Sequence, residues 1–244
     1  MLHKKVPLNI GIIGAGPGGL TLALCLSNHL DINITIFDAD TDHRINPTYN
    51  ASRSYTIDIT GHGLKVINYL KLNEAFDKNF IKFKGYRFLK LNVDLPYNEN
   101  GWTASRGDIC KVLFEELLER NQKVKVFFNT KAKVLDINEG KLQYTDNDSN
   151  EIIEEYYDFI IAADGAGSEV RNLMEKLSYI TVDSNDSKTY GRILKFDQNT
   201  NSLDHHYLNF FSYPYPYPAI AGAINGPLGH NMYYIKYYYS YLFV

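Results

Sequence analysis

Residues Leu8–Asp38 read LNIGIIGAGPGGLTLALCLSNHLDINITIFD. The first six, LNIGII, form a short and nearly continuous apolar run, as expected of a strand buried on both faces of a parallel sheet. Gly14-Ala15-Gly16-Pro17-Gly18-Gly19 comes next. In such a string Gly14 suits a tight turn, Gly16 lets the backbone approach a pyrophosphate, and Gly19 lets a helix pack closely on the sheet. Free N–H groups at the helix start favour phosphate charge. A helix is expected over Leu20–Leu30, where Leu20, Ala23, Leu24 and Ser27 fall at helical spacing, and Ile32–Phe37 (INITIF) is a second strand, closing a βαβ unit of about 30 residues. Asp38 ends that strand, 38 − 19 = 19 positions past Gly19. A carboxylate there accepts hydrogen bonds from a ribose 2′-OH and repels a 2′-phosphate, so FAD or NAD fits this pocket better than NADP.

Outward from this unit, Thr41–Asn50 is polar and contains Pro47, which marks a loop, and Ser54–Ile59 alternates as a strand. Gly63–Leu70 reads as a short helix with Leu64, Ile67 and Leu70 on one side. Tyr86–Leu91 reads as a strand, Gly107–Arg120 as an amphipathic helix and Val124–Phe128 as a buried strand. Asn138-Glu139-Gly140 joins Val134–Ile137 to Lys141–Tyr144 as a hairpin. Tyr157–Ala162 is again a buried strand, and Ser168–Leu177 a helix. After Tyr179 strands dominate, at Tyr190–Phe196, Tyr207–Phe211 and Ala219–Ile224. The tail Met232–Val244 (MYYIKYYYSYLFV) is either a buried strand or an exposed aggregation hazard. The expected fold class is α/β, a Rossmann-like dinucleotide-binding domain over 1–178 carrying an inserted segment, with an incomplete sheet-rich domain over 179–244.

Composition limits the function classes. A chain of 244 residues that is 45% hydrophobic can fill a core, so general disorder is excluded. Lys+Arg at 25 against Asp+Glu at 28 gives a net charge of −3, no electrostatic footprint for nucleic acid or an anionic membrane. The 2 cysteines, Cys25 and Cys110, match no metal or redox spacing and read as small buried hydrophobes in a reduced compartment. No apolar run approaches the roughly 20 residues that span a bilayer, so no transmembrane segment and a cytoplasmic location are expected.

A second cluster, Ala162-Ala163-Asp164-Gly165-Ala166-Gly167-Ser168-Glu169-Val170-Arg171, separates FAD from NAD. A strand delivers Asp164, Gly165 permits close backbone approach, and Ser168 can cap the next helix. By itself the string reads equally as a capped helix after a β-turn. Together, GAGPGG, Arg106 in WTASRGDI and AADGAGSEVR stand in the order and approximate spacing of the flavoprotein aromatic hydroxylases. The chain resembles these single-component FAD monooxygenases. RSYTIDITGHG at Arg53–Gly63, LPY at Leu95–Tyr97 and Trp102 ahead of Arg106 look most like the kynurenine 3-monooxygenase branch.

The resemblance implies FAD as cofactor, NAD(P)H as reductant, and O₂ and a small aromatic compound as substrates. It places the ADP part of FAD on Gly14, Gly16, Gly19 and Asp38. Arg106 would lie beside the ribityl and pyrophosphate, Asp164 and Gly165 against FAD and the path of NAD(P)H, and Arg53 and Tyr97 nearer the flavin ring and substrate. No side-chain nucleophile and no metal are implied.

Departures from the family pattern bear on activity. A later Gly-Asp motif of the family has no counterpart after Arg171, and Gly226-Pro227-Leu228-Gly229 is no substitute. Ala39 follows the acid where the family often has a basic residue, leaving Arg44 as a candidate replacement from the loop. The sequence reads as an N-terminal portion, inactive alone or completed by a C-terminal half on another chain. A non-catalytic flavin-binding fragment and an FAD-dependent reductase or dehydrogenase are the alternatives.

Overall fold

The computed structural model describes residues 6–29, 31–45, 56–185, 189–196, 203–211, 219–225 and 231–240. The chain begins with β1 (Leu8–Ile13), α1 (Pro17–Leu26) and β2 (Ile32–Phe37). It continues through β3 (Thr56–Ile59), α2 (His62–Tyr69), α3 (Asn73–Asn79), β4 (Ile81–Lys82), β5 (Gly85–Phe88), β6 (Val93–Pro96) and β7 (Trp102–Ser105). After α4 (Arg106–Arg120) come β8 (Lys125–Phe127), β9 (Lys133–Asp136), β10 (Lys141–Thr145), β11 (Ile152–Tyr156), β12 (Phe159–Ala162) and α5 (Glu169–Lys176). The last described elements are β13 (Thr189–Phe196), β14 (Tyr207–Phe210), β15 (Ala219–Asn225) and β16 (Asn231–Ser240).

Two compact units result, one from Met1–Pro47 with Cys110–Asp183, the other from Thr48–Ile109 with Ser184–Val244. The first holds a parallel sheet in the order β12-β1-β2-β8. Side chains alternate across a strand, so β1 and β2 each bury two faces. Ile10, Ile12, Ile34 and Ile36 are buried on the side where α1 places Leu20, Ala23 and Leu24. On the other side Ile13 and Phe37 join Val134, Leu142, Tyr144 and Tyr157, most of them from the antiparallel sheet β11-β10-β9. Phe37 is the centre of this second core, its ring 5.4 Å from Phe127 and 4.7 Å from Tyr144. β9 and β10 form the expected hairpin, with Gly140 supplying the positive φ of its turn.

Two strands expected to be buried are edges. Among the described residues β8 and β12 end the sheet order, each paired on one side only, and Phe159 in β12 is 57% exposed. An apolar run of four or five residues does not distinguish an inner strand from an outer one.

In the second unit a six-stranded sheet has the order β13-β16-β15-β14-β5-β6, beside a small sheet β3-β7-β4. The two are joined where Thr56 Oγ1 donates to the Gly222 carbonyl at 2.9 Å. Trp102 is fully buried in this unit, and its Nε1–H donates to Asp77 Oδ1 at 2.8 Å. The tyrosine-rich tail supplies β16, an interior strand paired with β13 and β15, so its backbone groups meet partners on both sides.

The units are not the linear pieces 1–178 and 179–244 expected from the sequence. Residues 48–109, which fall within the expected first domain, group with the C-terminal strands, because β5 pairs in parallel with β14. Tyr179 stays with the first unit, where its hydroxyl donates to Asn138 Oδ1 at 3.0 Å.

Candidate functional site

β1, β2 and β12 run parallel, so the chain leaves all three at one edge of the sheet. From β1 it enters the glycine turn, from β2 it reaches Asp38, and from β12 it reaches Ala163 and Asp164. These three exits are tied together by backbone hydrogen bonds, Gly14 N–H to the Phe37 carbonyl at 2.7 Å and Ala163 N–H to the Ile13 carbonyl at 2.8 Å. Ligands of open α/β sheets bind at this carboxyl edge.

Two of the glycines are required by shape. Gly14 has φ +107, and a Cβ there would lie 2.4 Å from the Ala163 carbonyl oxygen. A Cβ on Gly19 would lie 2.0 Å from the Gly14 carbonyl oxygen. The first α1 turn therefore sits directly on the backbone of the turn that precedes it. Gly16 is the N-cap of α1 in extended conformation and brings no capping side chain, and Pro17 follows at the first helical position. Pro17 lacks an N–H, and no side chain caps the Gly18 and Gly19 amides that follow.

Asp38 meets the glycine turn. Its Oδ2 accepts from Ala15 N–H and its Oδ1 from Asp40 N–H at 2.7 Å. The loop beyond it is held to the segment after β8, with Thr130 N–H on the Asp38 carbonyl and Asn129 N–H on the Asp40 carbonyl. Arg44, the candidate basic residue of this loop, donates from Nε and Nη2 to the Asp42 carboxylate and lies 4.6 Å from the Phe114 ring centroid. Burial acts to raise the Asp42 carboxyl, but the hydrogen bonds and charge of Arg44 outweigh it and hold Asp42 below its ordinary value. The same bonds raise Arg44.

Asp164 follows the end of β12, with its backbone N close to the place a Gly14 Cβ would take. Its side chain accepts from Glu169 N–H at 2.9 Å and Val170 N–H at 3.4 Å. Ser168 is the N-cap of α5, its hydroxyl accepting from Arg171 N–H at 2.9 Å. The amides that open α5 are thus capped by side chains, in contrast to those of α1. Gly165 has φ +78, and nothing lies within 4 Å of where its Cβ would be, so conformation rather than crowding calls for glycine there.

Gly14, Gly16, Gly19, Asp38, Asp164 and Gly165 all belong to the first unit. Arg106 and Tyr97 belong to the second, and Arg53 lies outside the described residues. Arg106 opens α4 and is exposed, and its guanidinium forms no hydrogen bond or ion pair with a described residue. Tyr97 is tied locally, its hydroxyl accepting from Gly61 N–H at 3.1 Å and donating to Glu99 at 3.2 Å. Sequence reasoning missed His43, whose Nε2 lies 2.9 Å from the Ala15 carbonyl oxygen inside the glycine turn. A lone histidine in a polar loop carries no motif that could have marked it.

A parallel sheet with a glycine turn, an acid at the end of the second strand and uncapped amides on the first helix defines a dinucleotide-binding Rossmann fold. Residues 12–78 match the model of the NAD(P)-binding Rossmann-like domain. The chain is similar to FAD-dependent monooxygenases. It is 26% identical over 190 residues to kynurenine 3-monooxygenase of Legionella pneumophila, covering 75% of this chain and 41% of that protein. Similarity to the FAD-dependent monooxygenase asL4 of Sarocladium schorii is 26% over 183 residues, covering 68% of this chain and 39% of that one.

Solved structures share the fold. The flavin-dependent monooxygenase PieE, in complex with FAD and substrate, superposes with a TM-score of 0.72 at 14% identity, over 98% of this chain and 44% of that one. p-Nitrophenol 4-monooxygenase PnpA from Pseudomonas putida gives 0.70 at 14% identity, over 98% of this chain and 59% of that one. The chain spans about two fifths of the length of the relatives it matches. No helix among the described residues is long and apolar enough to cross a membrane. A complementary half on another chain finds no support in the fold or in the relatives.

Proposed function

We propose that this chain binds FAD and forms the cofactor-binding part of an FAD-dependent monooxygenase that takes NAD(P)H, O₂ and a small aromatic substrate. One observation carries the reading. The glycine turn is crowded against backbone, where Cβ atoms at Gly14 and Gly19 would overlap carbonyl oxygens, and no side chain caps the amides at the start of α1. That combination suits a diphosphate: backbone within reach, dipole of α1 aligned, no side chain in the way. Asp38 lies beside the turn and repels a 2′-phosphate at the adenosine ribose. The residues present therefore fit the ADP part of FAD.

When bound, the flavin supplies the redox chemistry that passes electrons from NAD(P)H to O₂ and oxygen to the aromatic ring. The protein's part is to hold and shield. Gly14, Gly16 and Gly19 shape the diphosphate cradle, and Asp38 fixes the turn and receives the ribose. Asp164, through its bonds to the α5 amides, sets the path of the backbone that passes Gly14. We assign Arg106, whose guanidinium has no partner among the described residues, to the ribityl and diphosphate of the flavin. Arg53 and Tyr97 are assigned to the neighbourhood of its ring and the substrate.

The test is to titrate the chain with FAD, ADP and NADH and then supply NAD(P)H with kynurenine and small phenols. FAD binding with hydroxylated product supports the whole reading. FAD binding without product restricts it to cofactor binding, and failure to bind either FAD or ADP overturns it.

A further inference from the structure

Ala15 is fully buried, and both of its backbone polar groups are taken by side chains from the end of β2 and the loop after it. Its N–H donates to Asp38 Oδ2 and its carbonyl faces His43 Nε2 at 2.9 Å. A carbonyl oxygen only accepts, so the proton of the imidazole sits on Nε2. In a trans peptide the C=O and the following N–H point in opposite directions. Anchoring the Ala15 oxygen on His43 therefore turns the Gly16 N–H away from the loop and fixes the plane of the peptide that leads into the uncapped amides of α1.

His43 is itself held in place. Its ring meets Phe128 edge to face at 5.6 Å, and Phe128 packs on Phe114 in the same manner at 5.2 Å. Arg44, bonded to Asp42, lies over the Phe114 ring, and Arg44 N–H also donates to Asp42 Oδ1 at 2.8 Å. The Asn129 and Thr130 amides close the loop on the Asp40 and Asp38 carbonyls. The ring contact with Phe128, the Arg44–Asp42 pair beside it and the backbone bonds of its loop hold His43 against the glycine turn.

We propose that His43 is a positioning residue for the cofactor's diphosphate, acting through the Ala15–Gly16 peptide and without itself touching the chemistry. The inference rests on the nucleotide reading above and extends it to a loop residue outside the glycine motif. The ligand class is a nucleoside diphosphate, and the adenine and ribose should be indifferent to the change.

The test uses the 244-residue chain and three variants, His43→Phe, His43→Gln and His43→Asn, with FAD followed by flavin fluorescence and ADP and adenosine by competition. His43→Phe keeps the ring on Phe128 and removes the donor, and should weaken FAD and ADP about three- to tenfold, as one neutral hydrogen bond does, with adenosine unchanged. His43→Gln places an amide N–H near the Nε2 position and should restore binding. His43→Asn carries the same group at the Nδ1 position, too short to reach, and should not. Thermal midpoints separate these effects from loss of fold. Wild-type affinity in His43→Phe, or equal affinity in the Gln and Asn variants, overturns the proposal while leaving the nucleotide site standing. A wild-type chain that binds neither FAD nor ADP overturns both.

Discussion

Adjacent glycines in α1 offer a controlled test of the crowded turn. Gly18 and Gly19 share one helix turn, so replacing either by alanine brings the same gain in helix propensity, about 0.5–1 kcal/mol. Their surroundings differ. Nothing lies within 4 Å of a Gly18 Cβ, whereas a Gly19 Cβ would stand 2.0 Å from the Gly14 carbonyl oxygen and 3.3 Å from Ala163 Cβ. The nearer obstacle is backbone, already committed to the turn, so α1 must part from β1 by about 1 Å to reach the closest separation real Cβ atoms show. Overpacking of that kind costs about 1–3 kcal/mol. Because the propensity term cancels, the two variants should differ by that amount. With a urea slope of about 1–3 kcal/mol/M, their midpoints should stand about 1 M apart, Gly18→Ala the higher. Urea titration of the ligand-free variants by far-ultraviolet circular dichroism measures the gap. Coincident midpoints would show that the α1 turn does not rest on the Gly14 backbone, and the argument for the cradle would go with it.

Asp38→Ala removes an acceptor for two backbone amides and the ribose contact, and FAD affinity should fall by about 1.5–3 kcal/mol in a dissociation-constant measurement. Ser168→Ala frees the Arg171 amide and should cost about 1 kcal/mol of stability in the same urea assay, with FAD affinity unchanged. Asp77 is held below its ordinary value near 3.9, first by Lys82 and then by the Trp102 N–H, against the opposing effect of burial. A lowered carboxylate adds stability above its unfolded value and loses it as pH falls through the folded one. The advantage of wild type over Asp77→Asn should therefore be full at neutral pH and vanish in acid below about 3.9, read by the emission of Trp102, the only tryptophan. An advantage that persists unchanged at pH 2 would refute the coupling.

The first unit was legible where one local pattern determines a whole element. The runs LNIGII and INITIF each fix their own conformation, and β1 and β2 take the expected ranges, whereas α1 begins at Pro17 inside the glycine string and ends at Leu26 rather than running from Leu20 to Leu30. Ser168 could be placed as a cap because capping is decided within four residues of chain. The edge positions of β8 and β12 were not legible, since burial of a strand depends on what lies beside it and both runs are apolar in either case. Nor does the sequence signal α3 or β11. α3 is seven residues long with one buried side chain, and the period of so short a helix is not established by its sequence. β11, Ile152–Tyr156, alternates exposed and half-buried positions, and pairing with β10 makes it a strand.

The division into units failed to be legible for a deeper reason. The parallel pair β5 and β14 joins residues more than a hundred positions apart, and no periodicity in either segment carries that information. One helix, α4, starts at Arg106 among the residues grouped with the second unit and ends at Arg120 among those of the first. A boundary drawn along the chain cannot describe two bodies that the chain enters twice. The same logic separates the legible part of the site from the missed part. Gly14, Gly19 and Asp38 stand in a spacing imposed by a single βαβ unit, so their partnership is written locally. His43 meets the Ala15 carbonyl only because the loop after β2 is bonded to the segment after β8, about ninety residues later. What a motif reports is the cradle, and what holds the cradle in register comes from contacts that only the folded sheet brings together.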